Sequence, residues 1–324
     1  MSAGRVLVTG ATGLIGRRLV AALLAEDTPV RVFTRGRSSP PPEWAGRVET
    51  AIGDLADPAA LASACAGCAQ VFHLAGEWRA PDCFRAVNVD GTRQVLRAAA
   101  SAGAQHVVHL SSVGVMGTRA AGPVDEAAPC RPRDPYEQSK LEAEQWALLW
   151  AGETGVPVAA LRPTIVFGPR PAGEADSLLV WLRALQAGRY AHLDRRAVAN
   201  YVYVDDVAAA CLAAAARRAH GVFIVADPCP LADFVAAMAE ALGVPAPRAV
   251  IPLPLAYLGA LGLGLVSAVL RRPNPLTLAR VRALSNRTLF RSTQSETALG
   301  WRPLIGYRAG LARTVLAYRR AGQL

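Results

Sequence analysis

The sequence predicts an α/β protein built on a doubly wound parallel sheet, with a smaller, mostly helical lobe in its C-terminal part. Two observations predict this fold. Short apolar runs alternate with segments of helical periodicity through the first half of the 324-residue chain, and strands that alternate with helices form parallel βαβ units. The runs are apolar throughout rather than at every second position, which is typical of strands buried on both faces.

Each apolar run in the first half predicts a strand, and each periodic segment predicts a helix. The predicted strands are Arg5–Thr9, Val30–Thr34, Val48–Ile52, Val71–Ala75, Val107–Ser111 and Val158–Arg162. The predicted helices are Leu14–Ala25, Leu61–Cys65, Val89–Ala102 and Tyr136–Thr154. This order of elements places the sheet in residues 1–168.

The alternation breaks after Gly168, where Pro169 and Pro171 interrupt the pattern. The elements expected beyond this point are a helix over Ser177–Ala187, a strand at Tyr201–Val204 that leads into an alanine-rich helix, and a strand at Val222–Val225. We therefore expect residues 200–226 to return to the first domain. Residues 169–199 and 227–324 are expected to form a lobe that closes over a bound ligand.

Composition excludes several classes of protein. The net charge of +10 could suit a nucleic acid, but the arginines are scattered and only 6% of residues are aromatic, so binding of nucleic acid is not expected. The six cysteines are irregularly spaced, and Cys65 and Cys68 lack the further ligands of a zinc site, so no metal is expected. The N-terminus runs straight into an apolar strand without the pattern of an export signal, which predicts a cytoplasmic protein.

The segment Ala249–Leu270 carries no charge and is followed by Arg271 and Arg272. Its length could cross a bilayer, but prolines at its start and glycines within it favour a buried or interfacial helix beside an apolar cavity. Peripheral membrane contact through Ile251 to Leu270 is therefore kept as a hypothesis.

A glycine-rich loop follows the first predicted strand and opens the first predicted helix, over residues 10–16. Glycine permits the tight turn, lets the backbone approach a pyrophosphate and lets helix and strand pack closely, while the helix N-terminus offers free amides. This context predicts a Rossmann-type dinucleotide site. The residues expected to bind the cofactor here are Gly10, Thr12, Gly13, Leu14, Ile15 and Gly16.

The end of the second predicted strand carries Arg35 where an acidic residue would favour NAD. A guanidinium suits the 2′-phosphate of NADP, so NADP is the expected cofactor and NAD the alternative. Arg35 and Arg37 could also be solvated loop residues. After the third strand, Asp54 and Leu55 are expected beside the adenine, although Asp54 could equally be a turn or cap residue.

Lys140 is the single lysine of a chain in which arginine supplies all other basic side chains. This suggests that position 140 needs a compact ammonium rather than a planar guanidinium. Lys140 lies four residues after Tyr136, so both side chains share one helix face. A neighbouring cation is expected to lower the pKa of the Tyr136 phenol, which would make it an acid and base near neutral pH.

These features resemble the extended branch of the short-chain dehydrogenase/reductase superfamily, the NAD-dependent epimerase/dehydratase family. The resemblance covers the first two thirds of the chain, and its motifs are the glycine loop, Phe72–Gly76, Asn88, Ser111-Ser112, Tyr136-x-x-x-Lys140 and Arg162–Pro169. It implies that Tyr136 is the general acid/base, that Lys140 tunes it and binds ribose, and that Ser112 orients the substrate oxygen. It also implies a structural role for Ser111, a scaffold role for Asn88, and cofactor contacts by Ala75, Gly76, Pro163 and Val166.

Two departures from the family pattern bear on the substrate. Ser112 is followed by Val113-Gly114 rather than by the acidic residues typical of dehydratases, and Ala199-Asn200 stands where nucleotide-sugar enzymes tend to carry an arginine. With its apolar Ile251–Leu270 segment, the chain is more similar to the 3β-hydroxysteroid dehydrogenase and dihydroflavonol reductase branch. Asp205-Asp206 also fits the family pattern, but helix capping explains the pair without catalysis.

Three functions remain open from the sequence. The leading one is hydride transfer between a nicotinamide cofactor and a hydroxyl or keto group of a hydrophobic small molecule. A nucleotide-sugar epimerase with tightly held NAD is the alternative, and a non-catalytic dinucleotide-binding protein is the least favoured because the Tyr136–Lys140 pair is intact. A homodimer is a further hypothesis.

Overall fold

The computed structural model describes residues 4–37, 40–117, 122–171, 176–270 and 277–324, with the backbone alone described over 264–270. Its strands are β1 (Arg5–Thr9), β2 (Val30–Thr34), β3 (Val48–Ile52), β4 (Cys68–His73), β5 (His106–Leu110), β6 (Gly122–Val124), β7 (Val158–Pro163), β8 (Ile165–Phe167), β9 (Val198–Tyr203), β10 (Gly221–Val225), β11 (Asp227–Pro230) and β12 (Thr288–Phe290). Its α-helices are α1 (Leu14–Ala25), α2 (Pro58–Cys65), α3 (Gly91–Ser101), α4 (Pro135–Thr154), α5 (Ser177–Gln186), α6 (Val204–Ala216), α7 (Leu231–Leu242), α8 (Leu253–Leu270), α9 (Leu278–Leu284), α10 (Thr293–Ala298) and α11 (Gly306–Arg320).

Seven strands form one parallel sheet in the order β3-β2-β1-β4-β5-β7-β10. The chain runs outwards from β1 to β3 and then crosses back, so that β1 pairs with both β2 and β4. Ligands of open α/β sheets bind at such a reversal, outside the carboxyl ends of the strands. The predicted fold class is confirmed.

Both faces of this sheet are covered by helices, which explains the continuous apolar runs in the sequence. One apolar cluster joins the sheet to α1 and α6, with Leu19 and Val207 fully buried. The other joins it to α2, α3 and α4, with Leu61 and Leu96 fully buried. Strands enclosed between two such layers have no polar face.

Several predicted boundaries agree with the structure and others differ: the strand predicted at Val71–Ala75 spans Cys68–His73, and the helix predicted over Val89–Ala102 spans Gly91–Ser101. Helix α2 begins three residues before the predicted Leu61, because the Asp57 carboxylate accepts hydrogen bonds from the amides of Ala59 and Ala60 and starts the helix earlier. The predicted strand Tyr201–Val204 instead spans Val198–Tyr203, since β9 pairs with β8 on one side and β11 on the other. Val204 is the first residue of α6.

The second part of the molecule has its own apolar core around the three-stranded sheet β11-β9-β8. Helices α5, α7 and α11 pack against it, and Phe167 makes edge or tilted contacts with Tyr203 and Phe234. Strand β12 returns to pair in parallel with β6. Among the residues that the structure describes, no helix is long and apolar enough to cross a membrane.

Asp206 shows where the capping prediction was wrong. It lies in the first turn of α6 but does not cap that helix. Its buried carboxylate instead accepts the amides of Leu304, Ile305 and Gly306, at 2.9, 3.0 and 2.9 Å. These amides lie at or just before the start of α11, where backbone amides have no partner within the helix. Asp206 therefore fastens the C-terminal helix to the domain that carries the sheet.

We expect Asp206→Ala to lower the free energy of unfolding by about 2–4 kcal/mol, because three charge-assisted hydrogen bonds from backbone amides to a buried carboxylate are lost. Asp205→Ala is the matched control: Asp205 pairs with Arg18 at 3.0 Å and is partly exposed, so its removal should cost less than about 1 kcal/mol. Denaturant titrations of both variants measure the difference. Equal losses in the two variants would contradict this role of Asp206.

Candidate dinucleotide and active site

The glycine loop brings the turn after β1 against the turn after β4. Gly10 has a φ of +69°, and a Cβ at this position would lie 2.6 Å from the amide nitrogen of Ala75. Only glycine satisfies both the left-handed backbone and this close approach. A Cβ at Gly16 would lie 2.2 Å from the Gly10 carbonyl oxygen, so Gly16 allows α1 to pack against the loop.

The N-terminus of α1 is open to an anion. Its N-cap is Gly13, and among the described residues no side chain caps the helix and no acidic residue lies in its first turn. The first amides of a helix need an external partner, and the positive end of the helix dipole favours a phosphate there. The loop therefore fits the pyrophosphate of a dinucleotide.

A cavity of about 330 Å³ extends from this loop along the ends of β1, β2, β3 and β4. It contains eight of the residues predicted to bind the cofactor, namely Gly10, Thr12, Gly13, Arg35, Asp54, Leu55, Ala75 and Gly76. Arg35 is exposed at the end of β2, and the carboxylate of Asp54 accepts the amide of Ala56 at 3.0 Å. Asp54 therefore stabilises a turn and also lines the cavity.

Glu77 lines the same cavity and was not anticipated from the sequence. Its carboxylate accepts the amides of Trp78 and Arg79 at 2.9 and 2.7 Å. Hydrogen bonds from the backbone, that of Arg79 first, lower its pKa, and the positive charge of Arg35 lowers it further. Its position directly after Gly76, which was predicted to contact the cofactor, could have identified Glu77 as a cavity residue from the sequence.

Asn88 and Gly76 connect the cavity to the N-terminal part of α4. The Asn88 amide donates to the Glu77 carbonyl and to the Ser139 hydroxyl, both at 2.9 Å, and its oxygen accepts the Glu77 amide at 2.8 Å. A Cβ at Gly76 would lie 3.6 Å from Lys140 Nζ. Asn88 thus holds the loop after β4 beside the helix that carries Tyr136 and Lys140.

Ser112 acts on the Tyr136 phenol, and hydrogen bonding from Ser112 lowers the pKa of Tyr136. Tyr136 lies in the first turn of α4, which Asp134 caps by accepting the amide of Glu137 at 2.8 Å. Ser112 directly follows the end of β5, and its Oγ also accepts the Gly114 amide at 3.0 Å. Ser111 is buried in the sheet, so the serine that reaches Tyr136 is Ser112.

Lys140 is buried, and its ammonium donates a hydrogen bond to the carbonyl of Leu110. Burial lowers the pKa of Lys140 to about 8, and the negative charge of Glu144 opposes this change. Glu144 also holds the guanidinium of Arg162 through two hydrogen bonds in a buried ion pair. Lys140 therefore loses its proton more easily than an exposed lysine but is still mostly charged at neutral pH.

The expectation that Lys140 lowers the pKa of Tyr136 is wrong for the ligand-free protein. The pKa of Tyr136 is raised, first by burial and then by the negative charges of Asp134 and Glu137, while the hydrogen bond from Ser112 acts in the opposite direction. The ammonium of Lys140 is directed to Leu110 instead. Tyr136 is consequently a protonated phenol at neutral pH, ready to donate its proton.

The remaining predicted cofactor residues lie outside the cavity. Leu14, Ile15 and Val166 are partly buried against the apolar core of the lobe, where they join the two parts of the molecule. Pro163 is buried at the end of β7, paired with Val225 of β10. Packing within the protein explains why these residues and Gly16 are apolar or small, without a contact to a cofactor.

Comparison with known proteins agrees with this geometry. The model of the NAD dependent epimerase/dehydratase family matches residues 6–226. Sterol demethylase protein B of Methylococcus capsulatus is 30% identical, covering 98% of this chain and 99% of that protein. UDP-glucose 4-epimerase of Mycolicibacterium smegmatis is also 30% identical, covering 98% and 100%. The 3 beta-hydroxysteroid dehydrogenase/Delta 5-->4-isomerase of Mycobacterium tuberculosis is 32% identical, covering 74% and 70%.

A solved structure, MoeE5 in complex with UDP-glucose and NAD, is 26% identical and superposes with a TM-score of 0.73, covering 98% of this chain and 99% of that one. The chain belongs to the NAD-dependent epimerase/dehydratase family. It is an enzyme of the extended short-chain dehydrogenase/reductase type, in a family of NAD-dependent dehydrogenases, reductases and epimerases.

The buried ammonium of Lys140 predicts a pH dependence of stability. Because its pKa falls from 10.5 to about 8 in the folded state, the unfolded chain binds more protons between these values, and stability from this group rises with pH across that window. The free energy of unfolding of the wild type, relative to Lys140→Met, should therefore gain about 1–3 kcal/mol from pH 8 to pH 10. Denaturant titrations of ligand-free protein measure this, and parallel curves would contradict it.

Proposed function

We propose that this enzyme transfers a hydride between a dissociable nicotinamide dinucleotide, NADP in preference to NAD, and a hydroxyl or keto group of a hydrophobic small molecule. The observation that carries the proposal is the meeting of three groups near the cavity: the Tyr136 phenol, Ser112, which acts on that phenol, and the buried Lys140 one turn along the same helix as Tyr136. The site residues are Ser112, Tyr136 and Lys140 for catalysis, together with the cavity residues for the cofactor.

A bound nicotinamide supplies or accepts the hydride. In the reducing direction, the Tyr136 hydroxyl donates its proton to the substrate carbonyl oxygen, and Ser112 Oγ donates a hydrogen bond to the same oxygen as negative charge develops there. In the oxidising direction, Tyr136 takes the proton from the substrate hydroxyl. At neutral pH the Tyr136 phenol holds the proton that reduction requires.

The surroundings of Asn200 favour an apolar substrate over a nucleotide sugar. Asn200 stands where an arginine would grip a diphosphate, and its side chain is committed to β12: the amide donates to Thr288 at 2.8 Å and the oxygen accepts the amide of Phe290 at 3.2 Å. Arg287 is paired with Asp194 at 2.6 Å. We propose that residues 169–199 and 227–324 form the substrate-binding lobe without a diphosphate clamp.

A nucleotide-sugar epimerase is the second candidate, since UDP-glucose and NAD are bound in the similar MoeE5 structure. An epimerase returns the hydride to its substrate and retains the cofactor between turnovers, whereas a reductase must release it. Retention of the dinucleotide therefore separates the two functions.

The cofactor prediction concerns both identity and release. We expect purified protein to carry no retained dinucleotide and to bind NADPH more tightly than NADH. Arg35→Asp should weaken NADPH binding by about 10- to 100-fold, because a charge-assisted contact to the 2′-phosphate becomes a repulsion. Arg37→Asp, in the same loop but outside the cavity, is the matched control and should change affinity less than about threefold.

Mass spectrometry of the released ligand and fluorescence titration of NADPH and NADH make these measurements. Tightly retained NAD in the purified protein would establish the epimerase alternative and overturn the assignment of Arg35. An unchanged NADPH affinity in Arg35→Asp would remove Arg35 from the site.

The catalytic prediction concerns the Tyr136 hydroxyl. Tyr136→Phe should lower turnover by about 10²- to 10⁴-fold, because the proton donor is lost, while the dissociation constant for the dinucleotide stays within about threefold. Tyr307→Phe removes a phenolic hydroxyl from the lobe and should leave turnover near wild type. Turnover is followed by nicotinamide absorbance with a panel of hydrophobic alcohols and ketones that includes 3β-hydroxysteroids. Near-wild-type turnover in Tyr136→Phe would disprove the assignment.

A further inference from the structure

Helix α8 presents a row of exposed leucines on the surface of the lobe. Leu255, Leu258, Leu261 and Leu263 are 58, 65, 54 and 40% exposed. Leu255, Leu258 and Leu261 recur at three-residue spacing, so these three share one side of the helix. Large apolar side chains gathered in this way on a surface mark a contact with an apolar partner.

The opposite side of α8 is fixed to the protein by small residues. Ala256 and Ala260 are buried in an apolar cluster with Leu193 and Val281. Just before the helix, the amide of Ile251 donates to the carbonyl of His192 at 2.8 Å. Because Ala256 and Ala260 pack against the protein, the leucines on the other side of α8 face away from it.

The geometry of α8 favours lying on a membrane over crossing it. Eighteen residues at about 1.5 Å each span roughly 27 Å, short of a hydrocarbon core of about 30 Å. A spanning helix would also have to leave the cluster that buries Ala256 and Ala260. A helix with one face on the protein and one apolar face outwards is suited to the lipid interface.

The chain around α8 is basic without interruption. Between Glu240 and Glu296 the sequence contains no acidic residue and seven arginines, which are Arg248, Arg271, Arg272, Arg280, Arg282, Arg287 and Arg291. Arg248, Arg280 and Arg282 are exposed. Arg287 pairs with Asp194. Arg271 and Arg272 lie outside the described residues. A basic stretch beside an apolar helix face matches a surface of anionic lipid, whose phosphates attract arginine.

We propose that the exposed leucine face of α8 docks on an anionic lipid surface. The leucines enter the boundary between headgroups and acyl chains, and the exposed arginines Arg248, Arg280 and Arg282 contact lipid phosphates. A second copy of this chain is a poorer occupant, because face-to-face pairing would bring together two stretches that each carry several arginines and no acidic residue of their own. Charge complementarity therefore selects the lipid.

Docking of α8 would place the lobe where hydrophobic substrates dissolve. This consequence rests on the proposed function, but the docking itself does not, so each can fail without the other. An enzyme that binds vesicles and lacks reductase activity would retain the docking surface, and one that reduces ketones without binding vesicles would retain the proposed function.

The test is flotation of the full chain with vesicles of equal parts phosphatidylglycerol and phosphatidylcholine, compared with vesicles of phosphatidylcholine alone. Wild type should partition onto the anionic vesicles at least about tenfold more strongly, and less so when salt rises from about 0.1 to 1 M. Leu258→Glu should lose about tenfold or more of this binding. Leu304→Glu, which places the same charge at an exposed leucine far along the chain, should retain it.

Circular dichroism and dinucleotide titration show whether each variant is folded, and Leu255→Ser with Leu258→Ser provides a milder change if Leu258→Glu is not. Failure of folded wild type to bind anionic vesicles overturns the proposal, as does equal loss in Leu258→Glu and Leu304→Glu. Sedimentation that shows a wild-type dimer, a Leu258→Glu monomer and no vesicle binding would assign the face to a second copy instead.

Discussion

The close approach of Gly10 to the backbone of Ala75 is the contact on which the site depends. It brings the turns after β1 and β4 together at the point where the strand order reverses, and it leaves no room for a side chain. The helix that follows can then direct its free amides towards the crevice. The cavity depends on this close approach, because the glycine loop and the loop after β4, whose Gly76 lies beside Lys140, form its walls.

Burial of ionisable groups shapes the chemistry behind that crevice. Lys140 is removed from water beside the Glu144–Arg162 ion pair, and His73 is also buried, hydrogen-bonded to Thr9 and Thr92 at 2.8 and 3.0 Å. Desolvation lowers the pKa of His73 to about 3, with the charge of Lys140 acting in the same direction, so the imidazole is neutral. Because His73 is neutral, Lys140 is the group of this pair that carries a positive charge.

The C-terminal lobe is joined to the sheet domain through polar as well as apolar contacts. Asp206 accepts the first amides of α11, and Asp227 accepts the amide of Tyr307 at 2.7 Å. Both aspartates come from segments that border the sheet, so these contacts fix the start of α11 beside it. The apolar contacts of Ile15 and Val166 with both cores strengthen the same connection.

The sequence by itself determined the fold class, the bounds of β1, α1, β2 and β3, the glycine loop and the Tyr136–Lys140 pair. These features depend on local periodicity, turn geometry and helical spacing. Only the tertiary structure decided the partner of Asp206, the direction of the Lys140 ammonium towards Leu110, and the burial that raises the pKa of Tyr136. Each depends on which groups from distant segments meet and how far they are buried. Those quantities arise when the chain packs, and neighbouring residues along the sequence do not encode them.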